Sequence, residues 1–468
     1  MGIGISHWRL AREVSRAGQL GTVSGTGIWI VLTRRLQMGD PGGHVRRALE
    51  HFPAPNIAAR ILERYHIPGG KRPRAPFRTP PMLTHPVDPR LAELMAASSF
   101  VEVWLAREGH EGLVGINYLE KIQLSHLPSL YGAMLAGVDY VLMGAGIPLQ
   151  IPEVLDRLAM HEPAAYRIQV DGTGPEDVYE ERFDPLQIPL AGERRPLKRP
   201  RFLPIVSSHV LAQVLVKRSR GSIQGFVVEG PTAGGHNAPP RNRREVTDTG
   251  EPLYGAQDAP DLAKLRDLGL PFWLAGSHAR PGSLREAWAL GAQGIQAGSI
   301  FALSTDSGLS PELREQAISL ALERSLPIRT NPTSSPSGYP FKEAALPGTL
   351  ADPAIYHARE RLCDIGALRT PYRRADGTLG YRCPAEPRGL YVGKGGGAED
   401  TEGRRCLCNA LCAAAGLPQT RRRTGFVEPP LLTLGTDLDF LPHMAAPGGY
   451  TARDAIAYLL NDPVPGAG

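Results

Sequence analysis

The sequence predicts an α/β fold, a (β/α)8 barrel with a β-hairpin insertion and a C-terminal extension. Three observations predict it. From about residue 15 to 300, short apolar runs alternate with helical patterns, which is the rhythm of βα units around a parallel sheet. Most of those runs end in Gly or Ser. The last two end in Gly276-Ser277 and Gly298-Ser299, small residues at the consecutive strand ends where such barrels commonly bind phosphate.

The strand candidates, in order, are LGTVSG, GLVGINY, DYVLMGAG, LPIVSS, GFVVEG, FWLAGS and GIQAGS. Between them SLYGAMLAG, HVLAQVLVKRS, DLAKLRDLG and SLREAWALG read as helices, each ending at Gly or a polar stop. Seven strands suit an open sheet, whereas a closed barrel needs eight. The opening MGIGIS reads like the loop after a strand, so the eighth is expected upstream of Met1 or supplied from elsewhere. Residues 163–200 read as a hairpin insertion with VDGTG as its turn. The expected division is a barrel over 1–310 and an extension over 311–468, which carries a lid and all the cysteines.

Composition excludes several classes. The chain has 468 residues, 42% of them hydrophobic, enough for a sizeable core. With 53 Gly and 44 Pro it is loop-rich. No apolar run reaches the roughly 20 residues of a transmembrane helix, and the start has no secretory pattern. A net charge of +5 with scattered basic residues does not call for nucleic acid. The count of five cysteines is odd, which suits a reducing, cytoplasmic setting.

The stretch FVVEGPTAGGHNAPP, residues 226–240, poses the chemical question. Gly234 and Gly235 allow a sharp turn beside a flat ligand. His236 would then point from a strand end into the barrel mouth, where an imidazole serves as a general base. All five cysteines fall between 363 and 412. Cys363, Cys383, Cys406 and Cys408 make a four-thiolate set for zinc or an iron–sulfur cluster. Equally, Cys408 and Cys412 share a helix face and pack as small hydrophobes.

These residues carry a resemblance. VVEGPTAGGH is similar to the E-x-x-x-G-G-H stretch of the nitronate monooxygenases, formerly 2-nitropropane dioxygenases. The flavin-dependent enoyl-acyl-carrier-protein reductases and the reductase-like proteins of polyunsaturated fatty acid and polyketide synthesis share it. LAGSHARPGSLREAWALGAQGIQAGSIF, ISHWRLAREVSRAGQLGTVSG and VGINYLEKIQ resemble other parts of that family, over about 15–300. The resemblance implies a TIM barrel that binds FMN. Gly276, Ser277, Gly298 and Ser299 would hold its phosphate. Gly25 and Asn117 would approach the isoalloxazine or ribityl chain, and Glu229, Gly234 and Gly235 would shape the pocket. His236 would take a proton beside a nitro or nitronate group, or give one in enoyl reduction. Pro231-Thr232-Ala233 departs from the family's usual Glu-Ala before Gly-Gly-His.

The expected function is oxidation of alkyl nitronates with O2. The alternative is enoyl-thioester reduction in fatty acid or polyketide synthesis, toward which the loop RTNPTSSPSGYPFK, residues 329–342, leans. A non-catalytic barrel acting as a binding or assembly module is the reading of another class. The expected partners are a small-molecule nitronate or acyl-thioester substrate and other copies of the chain in a homo-oligomer, with neither nucleic acid nor membrane.

Overall fold

The computed structural model describes residues 2–174, 176–242 and 245–461. All seven expected strands form, and they make one parallel sheet. They are β1 (Gly21–Ser24), β2 (Val114–Leu119), β3 (Tyr140–Gly144), β6 (Arg201–Val206), β7 (Phe226–Glu229), β8 (Phe272–Ala275) and β9 (Gly294–Gln296). Their order is β1-β2-β3-β6-β7-β8-β9, sequential throughout. The register places Ser24 beside Asn117, Asn117 beside Leu142 and Glu229 beside Ala275. The C-terminal ends of β2, β3, β7, β8 and β9 all reach one cavity, so the sheet curls.

Seven of the eight strands of a closed barrel are present among the described residues. The sheet has seven strands, with β1 and β9 at its edges. The reason lies in the chain that stands at the edge of β1. Ser24 N–H donates to Ser6 O at 2.7 Å, and Ser6 Oγ donates to Thr22 O at 2.6 Å. On the other side Gly308 N–H donates to Ile5 O at 2.9 Å. Ile5 and Ser6 thus bridge β1 to the chain beyond β9 without adopting strand structure.

Helices cover the outside of the sheet. The helix Pro89–Arg107 starts where Asp88 accepts from the Arg90 and Leu91 N–H groups, with Pro at its first position. It packs against the helix His126–Leu135, whose Gly132 has Ala96 O where a Cβ would stand. Only glycine permits that approach. Ser208 caps the helix His209–Arg218. No helix among the described residues is long and apolar enough to cross a membrane.

The expected hairpin forms from β4 (Ala164–Arg167) and β5 (Glu180–Phe183), which are antiparallel. Its link spans 168–179, longer than the tight turn expected of VDGTG. Asp171 in that link pairs with the hairpin of β12 (Thr370–Arg373) and β13 (Leu379–Arg382), through Asp171 N–H to Pro371 O and Arg373 N–H to Asp171 O. A third hairpin joins β10 (Ile328–Asn331) to β11 (Phe341–Ala344). Every hydrophobic cluster that includes residues after 310 also includes residues before it. Ile300 and Leu303 pack with Leu432 and Leu434, and Leu10 and Val14 pack with Ala452 and Ile456.

Candidate active site

A cavity of about 270 Å³ lies at the C-terminal ends of the strands, where α/β folds place their ligands. Asn117, near the end of β2, lines it. Its Oδ1 is buried without a hydrogen-bond partner among the described residues, an arrangement that costs free energy unless a ligand satisfies it. Glu229 ends β7, and burial pushes its carboxyl up to about 7.

The two Gly-Ser turns follow β8 and β9. Gly276 has φ 95°, and a Cβ there would press on Thr232 Oγ1 at 2.8 Å. Ser277 also takes the left-handed conformation, at φ 55°. Neither the Ser277 N–H nor the Gly298 N–H donates a hydrogen bond within the described residues. A Cβ on Gly298 would meet nothing within 4 Å, so the turn faces open space. Unpartnered N–H groups beside open space suit an anion. The Ser299 hydroxyl is engaged already, accepting from Gly435 N–H at 2.7 Å.

His236 is fixed from both directions. Lys342 N–H donates to Gly235 O at 2.8 Å, and Asn237 N–H donates to Pro340 O at 2.8 Å. This short bridge lays the imidazole edge-on to the Phe341 ring, 4.9 Å between centroids. Its Nε2 is 2.7 Å from Ser335 Oγ. Burial pulls the imidazole down to about 4, so the ring is neutral near pH 7 and has a nitrogen lone pair to offer.

Nine of the ten residues expected around a flavin line this one cavity: Asn117, Glu229, Gly234, Gly235, His236, Gly276, Ser277, Gly298 and Ser299. Gly25 does not. The Tyr118 ring occupies the place of its Cβ, and its neighbours Thr26 and Gly27 line the cavity instead. The sequence reading missed Leu432, Thr433, Leu434, Gly435 and Asp437, which also line the cavity. Thr433 Oγ1 accepts from Gly235 N–H at 2.7 Å, and Thr436 N–H donates to Thr232 O at 2.9 Å. It also missed Ser335 and Phe341 as individual partners of His236. The hydroxyl and glycine content of 329–342 was the available signal.

The metal expectation is not met. Among the described residues no three or more His, Cys, Asp or Glu side chains group as a metal site. Cys363, Cys383, Cys406 and Cys408 instead line a closed space of about 10 Å³ with apolar neighbours. Burial pushes the Cys363 thiol up to about 12 and raises Cys383 and Cys408 as well. Raised thiols of this kind pack as small hydrophobes, with Cys383 and Cys406 buried and Cys363 and Cys408 partly so. Cys408 and Cys412 also contribute to the main cavity, in an apolar wall that includes Ile3, Ile30, Ile122, Ile365, Leu368 and Leu407.

No family model matches the chain, and no curated protein matches it either. Among solved structures it is similar to a nitroalkane oxidase from Streptomyces ansochromogenes, at 15% identity and a TM-score of 0.46, covering 98% of this chain and 92% of that one. It is similar to FabK from Thermotoga maritima, at 15% identity and a TM-score of 0.47, covering 98% and 89%. The enoyl reductase domain of MlnA, from the macrolactin biosynthesis cluster of Bacillus amyloliquefaciens, is 13% identical with a TM-score of 0.30, covering 56% and 55%. Likeness at this level assigns no reaction to the chain, and the site must speak through its own residues.

Proposed function

We propose that the protein is an FMN-dependent oxidoreductase of the nitronate monooxygenase type, which oxidises alkyl nitronates with O2 and uses His236 as its base. One observation carries the reading: a neutral histidine shares a cavity with two strand-end turns whose Ser277 and Gly298 N–H groups have no partner among the described residues. The residues fit the group. The N–H groups of Ser277 and Gly298 would take the phosphate, and the orphaned Asn117 Oδ1 would accept from a ring or ribityl donor. Glu229, Gly234 and Gly235 flank the same space. FMN, when bound, supplies the two-electron chemistry, and the protein supplies position and electrostatics.

Where the substrate enters as the neutral nitroalkane, His236 would accept the proton from the carbon that bears the nitro group, the C–H electron pair passing into the C=N bond of the nitronate that is then oxidised. Its lowered basicity keeps the ring unprotonated at neutral pH, which leaves the lone pair available at all times. The apolar wall takes the alkyl group and excludes water.

A second reading is favoured by two features. The cavity has an apolar wall suited to an acyl chain, and Glu229 holds a proton near pH 7 whereas His236 holds few. That combination suits enoyl-thioester reduction, with Glu229 as the proton source. The experiment that separates the readings is anaerobic titration of the FMN-loaded protein. Bleaching by a nitronate, with colour restored by O2, supports the first. Bleaching by a nicotinamide, with colour restored by an enoyl thioester, supports the second. A folded protein that binds no FMN overturns both and leaves the binding module.

A further inference from the structure

We propose that His236 works through Nδ1 alone, and that Ser335 is the positioning residue that keeps that nitrogen unprotonated. The proposal rests on the reading of His236 as the proton-accepting group. It goes beyond that reading by assigning the atom and the residue that controls it.

Hydrogen-bond counting around Ser335 limits the arrangements to two. Its Oγ has one proton and two lone pairs. One lone pair accepts from Ser337 N–H at 3.2 Å. That leaves one proton and one lone pair for two partners, His236 Nε2 at 2.7 Å and Ser337 Oγ at 2.8 Å. If the hydroxyl donates to Ser337, it must accept from Nε2–H, and Nδ1 is bare. If it donates to Nε2, the proton sits on Nδ1 and the cavity sees no lone pair. Both arrangements leave only Nδ1 without a partner. In the first it is a bare acceptor, in the second an N–H donor, and an orphaned donor is the rarer and costlier state, so the first is favoured. Ser337 Oγ then accepts from Ser335 and from Tyr339 N–H at 3.4 Å, and keeps its own proton for solvent, to which Ser337 is partly open. Nδ1 has no partner among the described residues and is the nitrogen left for the cavity that His236 lines.

Ser335 is itself held. It is fully buried. Arg404 Nη1 donates to Ser335 O at 2.6 Å, and Arg405 N–H donates to Ser334 O at 2.8 Å. The Ser334 hydroxyl bonds the Glu343 carboxylate, and Arg405 Nε lies 3.5 Å from that carboxylate. The loop between β10 and β11 is therefore clamped at both residues, with its hydroxyl aimed at the histidine. Orienting an imidazole and choosing its tautomer through the nitrogen that does no chemistry is a known means of control.

The test reads the tautomer directly. Ring ¹⁵N shifts of His236 are recorded in the flavin-free protein and again with FMN, the signal being assigned by its loss in His236→Gln. The expected result is a proton on Nε2 and a bare Nδ1. Ser335→Ala gives a mixture or the reverse tautomer, and Ser335→Thr restores the original. In parallel, Ser335→Ala lowers turnover roughly ten-fold or more, with FMN affinity unchanged. A wild-type ring protonated on Nδ1, or a Ser335→Ala ring with the wild-type tautomer, overturns the proposal. Absence of turnover with nitronate and enoyl thioester alike would sink the proposed function, while the ring shifts would still decide the tautomer.

Discussion

The strand-end wall of the cavity and the wall contributed by residues after 310 are built differently. The first consists of short contiguous motifs at the ends of β2, β7, β8 and β9, and it offers backbone N–H groups and glycine space. The second comes from Phe341 and 432–437, together with Ser335, which bonds His236 without itself lining the cavity; their sequence distances from His236 and Gly235 run from about 100 to about 200 residues. It offers side-chain hydroxyls and apolar surface. The first wall is made to hold a ligand. The second fixes the orientation of what the first presents.

Replacing His236 tests the division most severely. His236→Ala should leave FMN bound by the strand-end wall and cut turnover by roughly 10²–10⁴-fold, measured by steady-state assay beside flavin titration. Unchanged turnover would remove the base.

The next largest effect falls on the far wall. Glu428 is buried and accepts from Arg359 at 2.7 and 3.1 Å, with Arg421 against the same carboxylate. It precedes the segment 432–437. Glu428→Ala leaves the buried Arg359 without its carboxylate, while Arg421 keeps Asp364 at 2.8 Å, and should cost about 3–5 kcal/mol in urea unfolding. If FMN affinity survives in the folded variant, the two walls are separable; if it falls in step with stability, they are one unit.

The pH dependence of stability comes third. His236 has a depressed native pKa of about 4, so below 6.5 the unfolded chain binds a proton that the native ring refuses. Its contribution is lost as pH falls from 6.5 toward 4. Glu229 has a raised native pKa of about 7, so its contribution is lost as pH rises from 4.5 toward 7. Each amounts to roughly 3 kcal/mol, and the two oppose each other. In the flavin-free protein, Glu229→Gln should therefore lose stability on acidification, and His236→Gln should lose it on the way to neutrality. Parallel profiles for the two variants would contradict the burial of one of them.

Ser299→Ala is the mildest probe. It removes only the acceptor for Gly435 N–H, at a cost of about 1 kcal/mol, and should weaken FMN binding slightly. A complete loss of FMN would mean that the hydroxyl, and not the backbone, holds the anion.

What could be read in the sequence follows the same division. Gly276-Ser277, Gly298-Ser299 and Gly-Gly-His are local signals, because backbone conformation is set within a few residues. All seven strands of the sheet were visible for the same reason. Gly25 misled because a missing Cβ can make way for a ring behind it, here Tyr118, as readily as for a ligand ahead. The eighth strand has no counterpart among the described residues, and the two hydrogen bonds from irregular chain at Ser6 to β1 leave no period-two pattern to read. Ser335, Thr433 and Gly435 were unreadable because their partners are far away in sequence, and nothing local marks a hydroxyl that will meet a distant N–H group. Four of the cysteines do meet around one small space, but among the described residues they do not group as a metal site, and sequence clustering cannot tell packing thiols from ligating ones.

The β10–β11 loop has a consequence for the order in which the protein is made. His236 leaves the ribosome well before Ser335, Phe341 and Asp437. At roughly 5–20 residues per second, the ~200 residues from His236 to Asp437 take about 10–40 s to synthesise. Throughout that interval the nascent strand ends expose the apolar surface that the later chain will cover. The complete cavity, with His236 held against Ser335 and Phe341, is therefore assembled only after the last of these segments has emerged.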